Sequence, residues 1–266
     1  MVDIHSHIIP QFDDGSRSLE ESLQLATNQS AAGTRTILAT PHVESQLDIN
    51  NADRIVEKVA MLNEEIGKRK ISIRVEPGAE LFPGTYVLRA LDAGLPITLA
   101  GTGRYLLFDM PHGAMMPADF EEVIFSLLTQ RVIPILAHPE RSPYFNEEID
   151  KVEEYLDRGV VFQVNSGSFV GRHGPKAKQF AELMFQRRFA QFLASDAHRG
   201  QSRPLGQVSQ MLSTRGNEEY VKLLTVDSGM AVLRGEALPR RPGPASASEN
   251  DPWWAKITRP FQRQAL

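Results

Sequence analysis

The chain has 266 residues, of which 41% are hydrophobic, and it contains no cysteine. That length suits one large domain that buries a core without covalent or metal staples, and the missing cysteine excludes disulfides, thiolate nucleophiles and cysteine-based zinc sites. With 29 Lys and Arg against 33 Asp and Glu, the formal charge is -4, and no basic block marks a nucleic-acid surface. The start, Met1 to His7, lacks the basic and apolar runs of a signal peptide. No apolar run approaches the roughly 18 residues of a membrane span, so the expectation is a cytoplasmic enzyme without a transmembrane segment.

Val2 to Ile9 reads as a short strand, followed by a polar turn over Gln11 to Ser16. Ser18 and Glu21 form a capping-box pattern, and Leu19, Leu23 and Ala26 give the apolar spacing of a helix closed by Gly33. Thr36 to Thr40 is β-rich and ends at Pro41-His42. A helix is expected over Ala52 to Lys68, then a strand over Ile71 to Glu76 with Gly78-Ala79-Glu80 beyond it. Tyr105 to Asp109 is the next strand, ending at Pro111-His112. A helix over Asp119 to Gln130 precedes a strand over Val132 to Ala137, which runs into His138-Pro139-Glu140-Arg141. Ile149, Val152 and Leu156 share a helical face. Val160 to Val164 is a strand leading to Asn165, Pro175 to Arg188 a helix, and Phe189 to Ala194 a strand ending at Ser195-Asp196-Ala197-His198.

Six or seven short strands alternating with helices predict parallel β/α units, and polar residues recur after the strands, where a β/α barrel carries its active site. The expected division is a catalytic domain over residues 1–238 and a tail over 239–266. That tail is rich in Pro, Ser and Ala, and Trp253-Trp254 are its candidate docking point.

In His5-Ser6-His7 an extended backbone turns both imidazoles to one face. Alone, the pattern is weak. But His42, His112, His138 and His198 also follow apolar runs, Glu80 and Asp196 occupy matching exits, and Asp14 or Asp13 approaches from the first loop. Six of the seven histidines at such positions point to metal ligation rather than scatter. So many ligands exceed the need of one ion. Mixed imidazole and carboxylate donors suit Mn, Fe or Zn better than Mg, and a cluster of two or three ions favours hydrolysis over redox chemistry. Arg141 and Arg203, near His138 and His198, are candidates for binding phosphate through paired hydrogen bonds; Arg199 has a weaker positional claim. Ser195 lacks the nucleophile-elbow sequence of a serine hydrolase, and Gly101-Thr102-Gly103 lacks the spacing of a nucleotide-binding loop.

The motifs from Asp3-Ile4-His5-Ser6-His7 through Asp13-Asp14-Gly15, with Thr40-Pro41-His42, Gly78-Ala79-Glu80, His138-Pro139-Glu140-Arg141 and Ser195-Asp196-Ala197-His198, resemble the polymerase-and-histidinol-phosphatase (PHP) superfamily. Within it they are most similar to the manganese-dependent bacterial protein-tyrosine phosphatases of capsule and exopolysaccharide synthesis. The likeness spans about residues 1 to 235. It implies an α/β fold, a distorted seven-stranded (β/α) barrel of the PHP type, with up to three Mn²⁺ ions and Fe or Zn as alternatives. By position, His5, His7, Glu80 and Asp196 would hold one ion; Glu80, His112 and His138 a second; Asp14, His42 and His198 a third. Arg141 and Arg203 match phosphate-binding positions. Asp196, His42 and His198 join them as catalytic candidates, the two imidazoles as proton relays if not metal-bound. The implied substrate is a tyrosine-phosphorylated protein, the tail of a membrane-associated tyrosine kinase, and the likeness leaves a homo-oligomer open. A histidinol-phosphate or other small-ester phosphatase and a non-catalytic metal-stabilised binding protein are the alternatives. Tyr105 to His112 departs from the Leu-Glu-Phe-Pro that often precedes this histidine, and Met115-Met116 are a candidate apolar lip.

Overall fold

The computed structural model describes residues 1–49, 52–110, 115–200 and 202–242. Its strands are β1 (Val2–Ser6), β2 (Thr36–Ala39), β3 (His42–Val43), β4 (Arg74–Pro77), β5 (Glu80–Leu81), β6 (Tyr105–Phe108), β7 (Ile133–Ala137), β8 (Val161–Asn165) and β9 (Ala190–Ala194). All their pairings are parallel. One sheet runs β1-β2-β4 and the other β3-β5-β6-β7-β8-β9.

Those two sheets are parts of one ring. β2 continues into β3 after Thr40-Pro41, and β4 into β5 after Gly78-Ala79. Pro41 has no N–H to give to a ladder, and a Cβ on Gly78 would lie 2.8 Å from Leu99 Cδ2, so the ladder is interrupted at both places. The ring closes where Ser6 bridges Ala197 in parallel and the Asp196 and His7 amides donate to the His5 and Ala197 carbonyls at 3.0 and 2.9 Å. Counting each interrupted pair once, nine segments fill seven barrel positions. This is the distorted seven-stranded barrel that the family resemblance implies.

Strand alternation separates two cores. Leu106 and Phe108 of β6 and Leu136 of β7 join the large cluster shared with the outer helices, whereas Tyr105, Leu107, Ile135 and Ala137 join a second cluster. The helices Leu19–Ala31, Asp53–Lys68, Phe120–Thr129, Ile149–Asp157 and Gly174–Gln186 fall within two residues of their sequence expectation at each end. Ser18 caps the first of them, accepting from the Glu21 amide at 3.2 Å. The helices Tyr86–Asp92, Leu205–Ser213, Glu218–Lys222 and Ser228–Arg234 are additions to the elements that the sequence pattern predicts. Trp253, Trp254 and most of the expected tail lie outside the described residues.

Candidate metal centre

At the C-terminal ends of the strands, five imidazoles converge, with neighbouring ring centroids 4.0–6.3 Å apart. His5, His7, Glu80, His138 and Asp196 are buried, while His42, His198 and especially Asp14 reach solvent. β1 delivers His5 directly and His7 one residue past its end; β3 begins with His42, and β5 begins with Glu80. His138 and Asp196 follow β7 and β9 in left-handed backbone, with φ of 37° and 48°. That conformation is uncommon outside glycine, though Asp and His enter it more readily than most residues. It turns the chain at both exits.

Hydrogen bonding determines which imidazole nitrogens face the centre. The Asp196 carboxylate can only accept, so Asn165 donates to its Oδ2 through Nδ2 at 2.7 Å. Asn165 Oδ1 then accepts from Gln163 Nε2 at 2.8 Å, which leaves Gln163 Oε1 facing His5 Nδ1 at 2.8 Å. His5 therefore donates from Nδ1 and turns its Nε2 inward. The same logic applies at His7, whose Nδ1 lies 2.7 Å from Asp13 Oδ2. The two Nε2 atoms meet at 3.3 Å. As neutral rings they present two lone pairs to each other, an arrangement that calls for a cation.

The carboxylates meet that geometry. Glu80 Oε2 is 3.1–3.3 Å from nitrogens of His42, His5 and His7, yet takes no well-formed hydrogen bond from them. Its Oε1 lies 3.0 Å from His138 Nε2, so one carboxylate spans two sets of donors. Asp196 Oδ1 faces His5, His7 and His198 at 3.4–3.5 Å, while Oδ2 is occupied by Asn165 and by Arg141 Nη1 at 2.9 Å. Asp14 Oδ1 lies 3.4 Å from His198 Nε2 and 3.6 Å from His42 Nε2. Three overlapping groups with metal-binding geometry result: His5, Glu80 and His138; His5, His7 and Asp196; and His7, Asp14, His42 and His198.

Protonation follows the same demand for positive charge. Burial alone would lower the His5 pKa, but Glu80 and Asp196 outweigh it and push the pKa up to about 9. Burial opposes ionisation of Glu80 and Asp196 too, yet the facing imidazoles hold both carboxyls well below their usual range. For Asp13, burial is overcome by His7 and by the Gly15 and His42 amides, holding it at about 2. Protons and metal ions can satisfy the same donors, and imidazole plus carboxylate is a fitting set for first-row divalent ions.

The groups open into a cavity of about 350 Å³, bordered by Glu44, Phe82, Asp109 and Arg141 as well as the ligand candidates. Several of these were missed from sequence. Asp109, 3.5 Å from His138 Nε2, follows β6 much as the ligands follow their strands, a signal available in the sequence. Asp13 acts behind His7 rather than at the cavity, and Gln163 gave no sequence signal at all. Gly15 packs so tightly that a Cβ would lie 2.2 Å from the His7 carbonyl oxygen, which is why this loop can fold back to present Asp13 and Asp14.

Of the two expected phosphate-binding arginines, the structure brings only Arg141 to the cavity. Arg203 is exposed in a separate depression beside Asn28, Ala32 and Pro204. The turn made by Ser202 N–H to the Arg199 carbonyl, and the Leu205 amide bond to Gln29, carry the chain toward the Leu19–Ala31 helix instead. Arg199 Nη1 donates to the Gly15 carbonyl, tying the loop after His198 to the loop after His7. His112 lies outside the described residues. Neither Met115, which is exposed, nor Met116, which packs on the helix-side core, borders the cavity, so the apolar lip is not formed by them.

Comparison with known proteins supplies the context for this centre. The profile of the family described as capsular polysaccharide synthesis, CpsB/CapC, matches residues 1–234. The chain belongs to that family. Among CpsB/CapC relatives, it is 30% identical over 244 residues to the tyrosine-protein phosphatase YwqE of Bacillus subtilis, covering 91% of this chain and 95% of that protein. It is 26% identical over 250 residues to the tyrosine-protein phosphatase CpsB of Streptococcus pneumoniae, covering 90% and 100%. A crystal structure from a study of YwqE and CpsB, described there as unique metal-dependent tyrosine phosphatases, superposes with a TM-score of 0.83 at 28% identity, covering 93% of this chain and all of that one. The CpsB/CapC barrel is thus shared from end to end.

Proposed function

We propose that this protein is a metal-dependent protein-tyrosine phosphatase whose resident ions are Mn²⁺, acting in the cytoplasm on an autophosphorylated bacterial tyrosine kinase that controls capsule or exopolysaccharide synthesis. The observation that carries the reading is the set of three overlapping ligand groups around one cavity, in a chain aligned over nine-tenths of its length with tyrosine phosphatases. The likeness to tyrosine-protein phosphatases, in a family described by capsular polysaccharide synthesis, supports a tyrosine-phosphorylated protein of that process as the partner. Among the described residues no helix is long and apolar enough to cross a membrane.

When bound, divalent ions at such a cluster supply Lewis-acid stabilisation of phosphoryl oxygens and make water acidic enough to act at neutral pH. His5, His7, Glu80, His138 and Asp196 would hold the deeper ions, and Asp14, His42 and His198 the more open one. Arg141 commits one N–H to Asp196 and lines the cavity, where a guanidinium fork would match two oxygens of a phosphoryl group. Those contacts gain strength as charge spreads over the equatorial oxygens. Asn165 and Gln163 hold Asp196 and His5 in place through bonds that do not face the substrate. A tyrosine phenolate has a parent pKa of about 10, so it departs more readily than an alkoxide and needs no strong dedicated acid. With no cysteine in the chain, no phosphocysteine forms.

The test is kcat/KM on matched peptides carrying phosphotyrosine or phosphoserine, with histidinol phosphate as a third substrate and Mn²⁺ occupancy verified. A clear phosphotyrosine preference is expected. Equal rates on both peptides would overturn the tyrosine specificity while keeping a metal-dependent phosphatase. A preference for histidinol phosphate would replace the protein substrate with a small ester, and no phosphate release from any substrate would leave a binding protein.

A further inference from the structure

The cavity border is made of carboxylates, imidazoles and Arg141, with one exception. Phe82 is the single benzenoid ring among the described residues that line it. A phosphate and its metal ions have no use for an apolar ring. Nor does the core: Phe82 is half-buried and belongs to neither hydrophobic cluster, whereas Leu81 beside it is fully buried in the helix-side one. Alternation along β5 explains the division, since Glu80 and Phe82 both reach the cavity and Leu81 points away.

The backbone around this ring is held at several points. The Phe82 amide donates to the Val43 carbonyl at 3.0 Å, and its carbonyl accepts from the Tyr86 hydroxyl at 2.6 Å. The Thr85 amide donates to Asp119 Oδ2 at 2.8 Å. A Cβ on Gly84 would lie 2.7 Å from Tyr86 Cε1, so this glycine lets the Tyr86 ring close over the turn. The backbone that presents Phe82 is therefore held in place, and the ring is an apolar wall two residues from Glu80.

We infer that Phe82 is the specificity-determining wall for the organic part of the substrate: the ring of a phosphotyrosyl group lies against it while the phosphoryl group enters the cluster. The inference rests on the phosphatase reading and adds the residue that separates aryl from alkyl esters. Offset or edge-on contact between two rings adds to the area they bury, and a wall fixed in advance loses little freedom on binding. Phosphoserine has no ring to place there.

The experiment compares wild type, Phe82→Ala and Phe82→Tyr, each loaded with Mn²⁺ and checked for metal content and Tm. Two ligands are titrated calorimetrically: a peptide bearing a hydrolysis-resistant aryl phosphonate, and inorganic phosphate. Phe82→Ala is expected to weaken the aryl ligand by about tenfold and leave inorganic phosphate unchanged, with Phe82→Tyr near wild type. In turnover, the loss falls on KM for phosphotyrosine peptide and spares phosphoserine peptide. Unchanged aryl affinity in Phe82→Ala, or an equal loss for both ligands, overturns the inference. A wild type that cleaves no phosphotyrosine peptide instead overturns the underlying function, which keeps the two failures apart.

Discussion

His5 and His7 present Nε2 to the centre because Gln163 and Asp13 occupy the other nitrogen of each ring. Partners of this kind raise ligand basicity and hold ring orientation, and their loss typically costs about 10–100-fold in metal affinity or activity. Gln163→Leu is accordingly expected to weaken metal binding by about that factor while the protein still folds, since Leu fills a similar volume. Titration against a competing chelator measures it; wild-type affinity would show that the Gln163 bond does not orient His5. The residue scale also marks the reach of sequence reasoning. His5, His7, His42, Glu80, His138, Asp196 and His198 were legible because each stands at the beginning or end of an apolar run. Gln163 was not, because an amide inside a strand looks like any polar residue until the strand opposite places His5 against it.

At the scale of elements, the β/α rhythm was legible through period-two and helical spacing, and most boundaries moved by one to three residues. The breaks that split two barrel strands were not foreseen, although Pro41 and Gly78 mark them. The last helices were missed for a different reason: Ser228–Arg234 is short and includes Gly229, a poor helix former. Tertiary packing explains that glycine. A Cβ at Gly229 would lie 2.5 Å from Val2 Cβ at the start of β1, the end of the strand away from the metal groups. Gly229→Ala is expected to destabilise the fold by about 1–3 kcal/mol, the usual cost of overpacking, without lowering metal content per folded molecule. Thermal or urea unfolding provides the check, and an unchanged midpoint would mean that helix and strand separate freely.

For the whole molecule, the cluster makes stability depend on its cations. The His5 pKa is raised to about 9 despite its burial, because Glu80 and Asp196 face it, against about 6.5 in an unfolded chain. A raised folded-state pKa contributes stability that is fully present below about 6.5 and is lost as pH rises through about 9. Metal-free protein should therefore lose Tm across that interval. Bound Mn²⁺ takes the place of those protons, so the difference in Tm between metal-loaded and chelated protein is expected to widen over the same range. Parallel Tm curves, or a difference that narrows with rising pH, would show that protons and metal do not compete for these donors. Chelation should abolish phosphatase activity, and added Mn²⁺ should restore it.

The sequence by itself determined the chemistry available to this protein: no thiol, a surplus of imidazole and carboxylate at strand exits, and a β/α alternation that gathers such exits at one end of a barrel. These are properties of residue type and local period, which one chain of letters carries in full. Only the tertiary structure decided how the donors are shared. Glu80 faces His138 through one oxygen and His5, His7 and His42 through the other. His5 and His7 each serve two groups, Arg141 reaches the cavity and Arg203 does not, and Phe82 replaces the methionines as its apolar wall. The physical reason is that a side chain's reach past a strand end depends on the turn that follows and on the neighbouring strands' register, and both are set by contacts between segments far apart in the chain.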